Sequence, residues 1–170
     1  MCARAPKDLE VSAVILRASL RSHLRMADAT WEQHTMPDIK IVNPDALGKP
    51  LGQYSQITRV KASEFLFIAG QLGTDKDGKL VGDDDFVAQC AQTFANIEAA
   101  LKSCGAGWGN VVQFTTFLVH SQDVPKLRGF RQREFPKMFP NGAYPPNTLL
   151  IIDRLVAEAA LIEIQTIAAI

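Results

Sequence analysis

Two apolar rhythms alternate along the chain beyond Asn43. Residues 54–61 (YSQITRVK) and 64–71 (EFLFIAGQ) carry β-branched and aromatic side chains, which predicts two strands joined by a turn over Lys61–Glu64. Phe86, Cys90, Phe94, Ile97, Leu101 and Cys104 recur at spacings of three and four, which predicts a helix over 85–104. Asp83-Asp84-Asp85 supplies a capping carboxylate and a favourable charge at its start, and Gly105 a left-handed cap at its end. Residues 111–119 (VVQFTTFLV) predict a strand. Asp123 and Pro125 open a second helix, with Leu127, Phe130, Glu134 and Met138 on one side next to Arg131, Phe135 and Phe139. Pro140-Asn141-Gly142 stops it, and residues 148–155 and 160–169 predict the last two strands. The order β-β-α-β-α-β-β is an α+β fold, one sheet with two helices on one face.

The second face of that sheet changes the picture. The strands are apolar at nearly every position, as in TLLII and ALIEI, and two helices cover one face only. The other face is buried most economically against copies of the same chain, so a closed homo-oligomer is expected, with dimer and trimer both open at this point.

Residues 1–40 read differently. Leu16, Leu20 and Leu24 recur at helical spacing beside a stripe of Arg17, Arg21 and Arg25, with Ser12, Ser19 and Ser22 between. This suits either a flexible extension or a targeting segment of mitochondrial type, although Asp8 and Glu10 are unusual in such segments. A cytoplasmic protein is expected, with mitochondrial import as the alternative if residues 1–35 act as a presequence. The domain proper is expected over 41–170.

Composition narrows the chemistry. Eighteen basic residues balance eighteen acidic ones in a 170-residue chain, which argues against a general nucleic-acid binder. No apolar run reaches transmembrane length. Cys2, Cys90 and Cys104 lack C-x-x-C spacing, and His23, His34 and His120 stand far apart, so neither a zinc ribbon nor a dedicated metal site is expected. No G-x-S-x-G accompanies His120. Gly73–Lys79 (GTDKDGK) nearly spells a phosphate loop, but Leu80 stands where a Ser or Thr must hold magnesium, and no helix starts there; it reads as a hairpin loop. Gly105-x-Gly107-x-Gly109 follows a helix instead of a strand and is no dinucleotide fingerprint. Arg128, Arg131 and Arg133 read as a solvated helix face, with an acidic-ligand or RNA patch as the sharper alternative. Cys90 and Cys104 read as inert packing.

Two features remain. Glu163 interrupts an Ile- and Leu-rich strand, so it lies either on an exposed face or in a site that raises its pKa by desolvation. Tyr144-Pro145-Pro146-Asn147-Thr148 is a stiff entry into a strand, suited to fixing Asn147 and Thr148 as polar binding groups.

These residues, in this order, resemble the Rid (YjgF/YER057c/UK114) family. The similarity runs from about Asn43 to Ile170. It rests on Gly52-Gln53-Tyr54-Ser55-Gln56, Phe67-Ile68-Ala69-Gly70-Gln71, Asn96-Ile97 with Leu101 and Gly105, Val111–Val119, Tyr144-Pro145, Ile162-Glu163-Ile164 and Ile167-Ala168. The resemblance implies a chorismate-mutase-like fold of the trimeric type, with three clefts between subunits, so the expected oligomer becomes a homotrimer. It implies hydrolysis of enamines and imines to a carbonyl compound and ammonia, with no metal or organic cofactor. It implies Glu163 as the group that positions or activates water, Gly70 as cleft-lining backbone and Tyr54 as a cleft tyrosine near the subunit boundary.

One departure bears on the substrate. Active members carry an Arg in a P-A-R-S/T motif that clamps the substrate carboxylate, and here Asn147 occupies that place. Losing a charge-assisted bidentate contact costs roughly 1.5–3 kcal/mol, or about one to two decades of carboxylate recognition. Ala69 likewise stands where the family often has Ser. The expectation is an imine or enamine deaminase with an atypical substrate, Glu163 catalytic, and Tyr54, Gly70, Asn147 and Thr148 binding. The alternatives are a non-catalytic trimer that binds a small ligand and, least favoured, an endoribonuclease.

Overall fold

The computed structural model describes residues 36–170. The reading of residues 1–35 as an extension or presequence falls outside the described residues. Eight regular elements follow in the order β-β-β-α-β-α-β-β: β1 (Asp38–Val42), β2 (Ile57–Lys61), β3 (Phe65–Leu72), α1 (Phe86–Ser103), β4 (Val111–Leu118), α2 (Val124–Met138), β5 (Asn147–Ile151) and β6 (Ile162–Ala169). The α+β class stands. One strand precedes the expected set, and β1 straddles the boundary placed at residue 40.

Pairing differs from the expected hairpin. β2 pairs antiparallel with β1, Asp38 opposite Lys61, and β3 pairs antiparallel with β6, Phe65 opposite Ala169. The reason lies in the connection. Ser63 and Glu64 both donate their amides to the carbonyl of Ile170, so the turn is tied to the C-terminus and delivers β3 to β6. The main sheet runs β3-β6-β4-β5, with β4 and β5 parallel and the other pairs antiparallel.

Burial follows the strand period of two. Phe114, Thr116 and Leu118 of β4 and Ile162, Ile164, Thr166 and Ala168 of β6 are buried among the core side chains. Phe94 of α1 stacks on Phe130 of α2 with centroids 5.1 Å apart and meets Phe135 edge-on at 5.6 Å, so aromatic packing ties both helices together. The opposite face carries Phe67, which is 77% exposed, and edge strand β5 leaves Leu149, Leu150 and Ile151 exposed.

The helix boundaries follow their punctuation. Asp85 caps α1, its carboxylate accepting from the amides of Val87 and Ala88, and Gly105 adopts φ +70° beyond the helix end. Asp123 precedes α2 but does not cap it; its carboxylate takes Lys126 Nζ at 2.7 Å instead. The segment 73–79 is a hairpin loop, with Asp75 accepting from the amides of Asp77 and Lys79 and Thr74 bridged to Leu80. Two expectations fail at helix faces. Cys104 is exposed, because α1 ends at Ser103 and the chain turns away. Arg131 is buried, not solvated, because it lies inward over the ring of Phe135 at 5.1 Å.

Candidate functional site

The five expected site residues fall into two groups. The first is Gly70 with Glu163. β3 has an irregular register between Ile68 and Gln71, and Gly70 lies in that bulge against β6. A Cβ at residue 70 would overlap Oε1 of Glu163 and stand 2.6 Å from its Cδ. The missing side chain is what lets the carboxylate lie across β3. Glu163 alternates with buried Ile162 and Ile164, so it projects from the face opposite the helices. Half-buried, it has no side-chain hydrogen bond or ion pair among the described residues.

Two amides of α1 hold this arrangement. Gln89, fully buried, donates to the carbonyls of Gly82 and Ala159 and accepts from the amide of Leu161, two residues before Glu163. Asn96 donates to the carbonyls of Leu72 and Thr74 at the exit of β3. Each bonds backbone groups at or near a strand end. Asn96 is legible as part of the family pattern. Gln89 is legible only as a polar interruption on the inner face of a helix.

The second group is Asn147 with Tyr54. Asn147 opens β5 beside β4, and its side chain turns toward the helix layer. Its Oδ1 accepts from Thr116 Oγ1 at 2.7 Å and from Arg131 Nη2 at 2.9 Å. Arg131 Nη2 also donates to Thr116 Oγ1 at 3.1 Å. Tyr54 is held on the loop before β2, its hydroxyl accepting from the amide of Leu51 at 3.3 Å. Tyr54, Leu127, Arg128, Arg131, Asn147 and Leu149 line a cavity of about 300 Å³. Thr148 pairs with Thr115 on the opposite face of the strand, is exposed and does not line the cavity.

Asn147 and Glu163 are therefore not brought together within one subunit. β4 separates their strands, Phe114 facing Asn147 and Phe117 facing Glu163, and their side chains leave opposite faces. Arg131, expected with Arg128 and Arg133 on a solvated helix face or an acidic-ligand patch, is instead buried beside Asn147. Burial lowers its pKa to about 10, so it stays protonated at neutral pH. Burial also pushes the nearby Cys90 thiol up to about 12, so Cys90 supplies no countercharge. Among the described residues no carboxylate pairs with Arg131 and no acceptor meets its Nε. No cluster of three His, Cys, Asp or Glu side chains suited to a metal occurs among the described residues, and no helix there is long and apolar enough to cross a membrane.

Comparison with known proteins agrees with the residue pattern. The family model described as "Endoribonuclease L-PSP" matches residues 44–170. A RutC family protein of Pyrococcus horikoshii is 35% identical over 121 residues, covering 71% of this chain and 89% of the relative. A 2-iminobutanoate/2-iminopropanoate deaminase of Capra hircus is 27% identical over 125 residues, covering 73% of this chain and 90% of the relative. The crystal structure of YyfB, a Rid family protein of unknown function from Yersinia pestis, superposes with a TM-score of 0.69 at 26% identity, covering 78% of this chain and 98% of that one. With the chorismate-mutase-like fold and the matched segment in agreement, the chain belongs to the Rid family, the family of endoribonuclease L-PSP.

Proposed function

We propose that this protein hydrolyses imines or enamines to a carbonyl compound and ammonia, in clefts completed between the subunits of a homotrimer. The observation that carries this reading is Glu163, a carboxylate with no side-chain partner among the described residues, laid over a glycine that makes room for it. Imine hydrolysis needs a base that takes a proton from water as its oxygen attacks the C=N carbon. The same group then returns the proton to nitrogen, and the tetrahedral carbinolamine collapses to C=O and NH₃. The overall balance is R₂C=NH + H₂O → R₂C=O + NH₃, which consumes no oxidant or reductant. Glu163 is assigned that proton transfer, Gly70 the cleft floor, and Tyr54, Asn147 and Thr148 the polar walls.

The separation of Asn147 from Glu163 supports an intersubunit site, since both can meet one small substrate only if a second copy brings them together. The exposed Phe67 supports a copy seated on the open sheet face. The named deaminase activity of the Capra hircus relative supports the reaction class.

A second reading, a non-catalytic trimer that binds a small ligand, draws on Asn147 in place of the arginine. An RNA-cleaving role draws only on the description of the family model, and the balanced charge of the chain offers little to a phosphate backbone. The test is ammonia release from imines generated in situ from several L-amino acids and from one carboxylate-free imine. Acceleration that disappears in Glu163→Gln is the expected result. Ligand-dependent melting shifts without turnover on any imine would select the second reading.

A further inference from the structure

β3 carries one residue more than its partner β6 can match. Phe65 to Ile68 pair in one register, Phe65 with Ala169 and Ile68 with Thr166, while Gln71 pairs with Ile164 and Leu72 with Glu163. Between these stretches Ala69 and Gly70 together face Gln165, which makes the bulge. Continued without the bulge, the first register would set Gly70 opposite Ile164 and Gln71 opposite Glu163. Side chains alternate along a strand, so that slip would turn the glycine toward the helices and bring the glutamine side chain beside the carboxylate. The bulge therefore decides what lies under Glu163.

Both ends of β3 are fixed from outside this part of the ladder. At its start, Ser63 and Glu64 donate their amides to the carbonyl of Ile170. At its end, Asn96 of α1 donates from Nδ2 to the carbonyl of Leu72 at 2.9 Å and to that of Thr74 at 2.8 Å. The Oδ1 of Asn96 accepts from Gln92 Nε2 at 2.9 Å, one turn earlier on the helix, which fixes the orientation of the amide. Gly73, between the two held residues, lies so close to α1 that a Cβ there would stand 2.7 Å from the Cα of Gln89. Residues 72–74 are thus seated on the helix, and the surplus residue is confined between the two clamps.

We propose that Asn96 is a positioning residue for Glu163. By holding Leu72 and Thr74 on α1 it keeps the bulge at Ala69 and Gly70, and so keeps a glycine against the carboxylate instead of the side chain of Gln71. Asn96 acts through the strand, since Leu72 is the cross-strand partner of Glu163. The consequence for turnover rests on the deaminase reading, whereas the placement of the carboxylate does not.

The experiment compares the full native chain with Asn96→Asp, Gly70→Ala and the double variant. Aspartate keeps the shape and the acceptor for Gln92 but has no hydrogen to give to either carbonyl. Ammonia release from an imine generated in situ from an L-amino acid gives kcat and KM. The NMR resonance of the Glu163 carboxyl carbon, assigned by its absence in Glu163→Gln, reports the carboxylate directly. In Asn96→Asp, kcat is expected to fall about tenfold to a hundredfold, as for a reacting group displaced by about 1 Å, with KM within about twofold of native. The resonance shifts, and Gly70→Ala adds no further loss in the double variant, because the glycine has already left the carboxylate. Gln71→Gly in the Asn96→Asp chain restores part of kcat, since the slipped register again presents a glycine. A clamp that only stabilises the fold would lower the melting temperature, with losses that multiply and no rescue. That result, or native kcat with an unmoved resonance, overturns the proposal. Should Asn96→Asp fail to fold, Gln92→Ala takes its place, with a severalfold loss and the same rescue expected because the Asn96 amide is freed to rotate. A native chain that releases no ammonia from any imine defeats the deaminase reading. The resonance then decides the positioning role, a shift in Asn96→Asp supporting it and an unmoved signal overturning it.

Discussion

Arg131 Nη2 stands 2.9 Å from Asn147 Oδ1, so a guanidinium from α2 meets β5 at the position where the resemblance to the Rid family implies an arginine. The buried cation that bonds residue 147 is supplied by the helix. The two placements exclude each other on electrostatic grounds, because two buried cations at about 4 Å repel by roughly 4 kcal/mol even at an effective dielectric constant of 20.

Asn147→Arg is therefore expected to destabilise the protein, by roughly 2–4 kcal/mol, with part of the loss recovered at high salt. The double variant Asn147→Arg/Arg131→Met should recover most of it, since it transfers the single cation to the strand. Urea denaturation of the native protein, both single variants and the double variant measures the coupling. Additive effects would mean the two side chains do not share the corner.

Arg131 also imposes a cost that depends on pH. Its folded pKa of about 10 lies below that of a solvated guanidinium, so below pH 10 it is protonated in both states and the full penalty is present. Above pH 10 the unfolded chain keeps a proton that the folded chain has shed, and this group's contribution to stability rises with pH. Arg131→Met removes the charge while filling similar volume. At pH 7 the variant should be as stable as the native protein or up to roughly 3 kcal/mol more stable. Its advantage should stay flat to about pH 9 and shrink above pH 10. Melting curves from pH 7 to 11 check both sign and window, and an unstable variant at pH 7 would contradict the burial argument.

Which parts of this were legible beforehand follows from the range of each interaction. The face of α1 was legible because Phe86, Cys90, Phe94, Ile97 and Leu101 repeat locally, and all five are buried. Cys104 kept the period but lies beyond the last turn, where period no longer implies burial. The partner of β2 was not legible. Turn residues suggest a hairpin, but the Ser63 and Glu64 amides are engaged by Ile170, more than a hundred positions away in sequence. Glu163 was legible as a carboxylate among aliphatics, whereas its relation to Gly70 depends on the β3–β6 register. Arg131 was hidden by its neighbours. Arg128 and Arg133 are exposed, so the three together resemble a solvated stripe, although only Arg131 lies within reach of Thr116 and Asn147.

Gly70 and Glu163 can be separated experimentally. Gly70→Ala adds one methyl group that must displace the carboxylate, because the added carbon would overlap Oε1. Glu163→Gln keeps the shape and removes the base. Both should lower turnover of imines by about a hundredfold or more, in keeping with loss of general base catalysis. Glu163→Gln should leave the melting temperature close to native. Steady-state ammonia release alongside melting curves distinguishes a displaced base from a disrupted sheet, and full turnover in Glu163→Gln would remove Glu163 from the mechanism.

Gln89 ties α1 to the entrance of β6 through two hydrogen bonds, and to Gly82 through a third, in a fully buried setting. Gln89→Leu preserves volume but removes the side-chain partner of the Ala159 carbonyl and of the Leu161 amide, while the Gly82 carbonyl keeps the amide of Asp85. An unsatisfied buried group costs about 1–3 kcal/mol, so a loss of roughly 2–4 kcal/mol is expected after partial relaxation. Hydrogen exchange should speed up at Leu161 first, because that amide loses its only side-chain acceptor. Unchanged protection there would show that Gln89 contributes packing alone.

Phe67 tests the assembly independently of chemistry. It lies on the sheet face away from the helices and is 77% exposed in one subunit, on a strand whose alternate residues pack inward. A phenyl ring in that position is stabilising only if a second copy removes it from water, at about 25 cal/mol per Å² of apolar area. Phe67→Asp places a charge in the same interface, and each copy contributes one such residue by symmetry. Sedimentation velocity should show a trimer for the native chain and a monomer or a strongly concentration-dependent mixture for the variant. The cavity lined by Tyr54 and Asn147 lies on the helix side of the sheet, away from Phe67, so the dissociated chain should keep its helix-side packing while imine turnover is lost. A variant that stays trimeric would leave the open face without an assigned partner, and a monomer with full turnover would contradict a cleft shared between subunits.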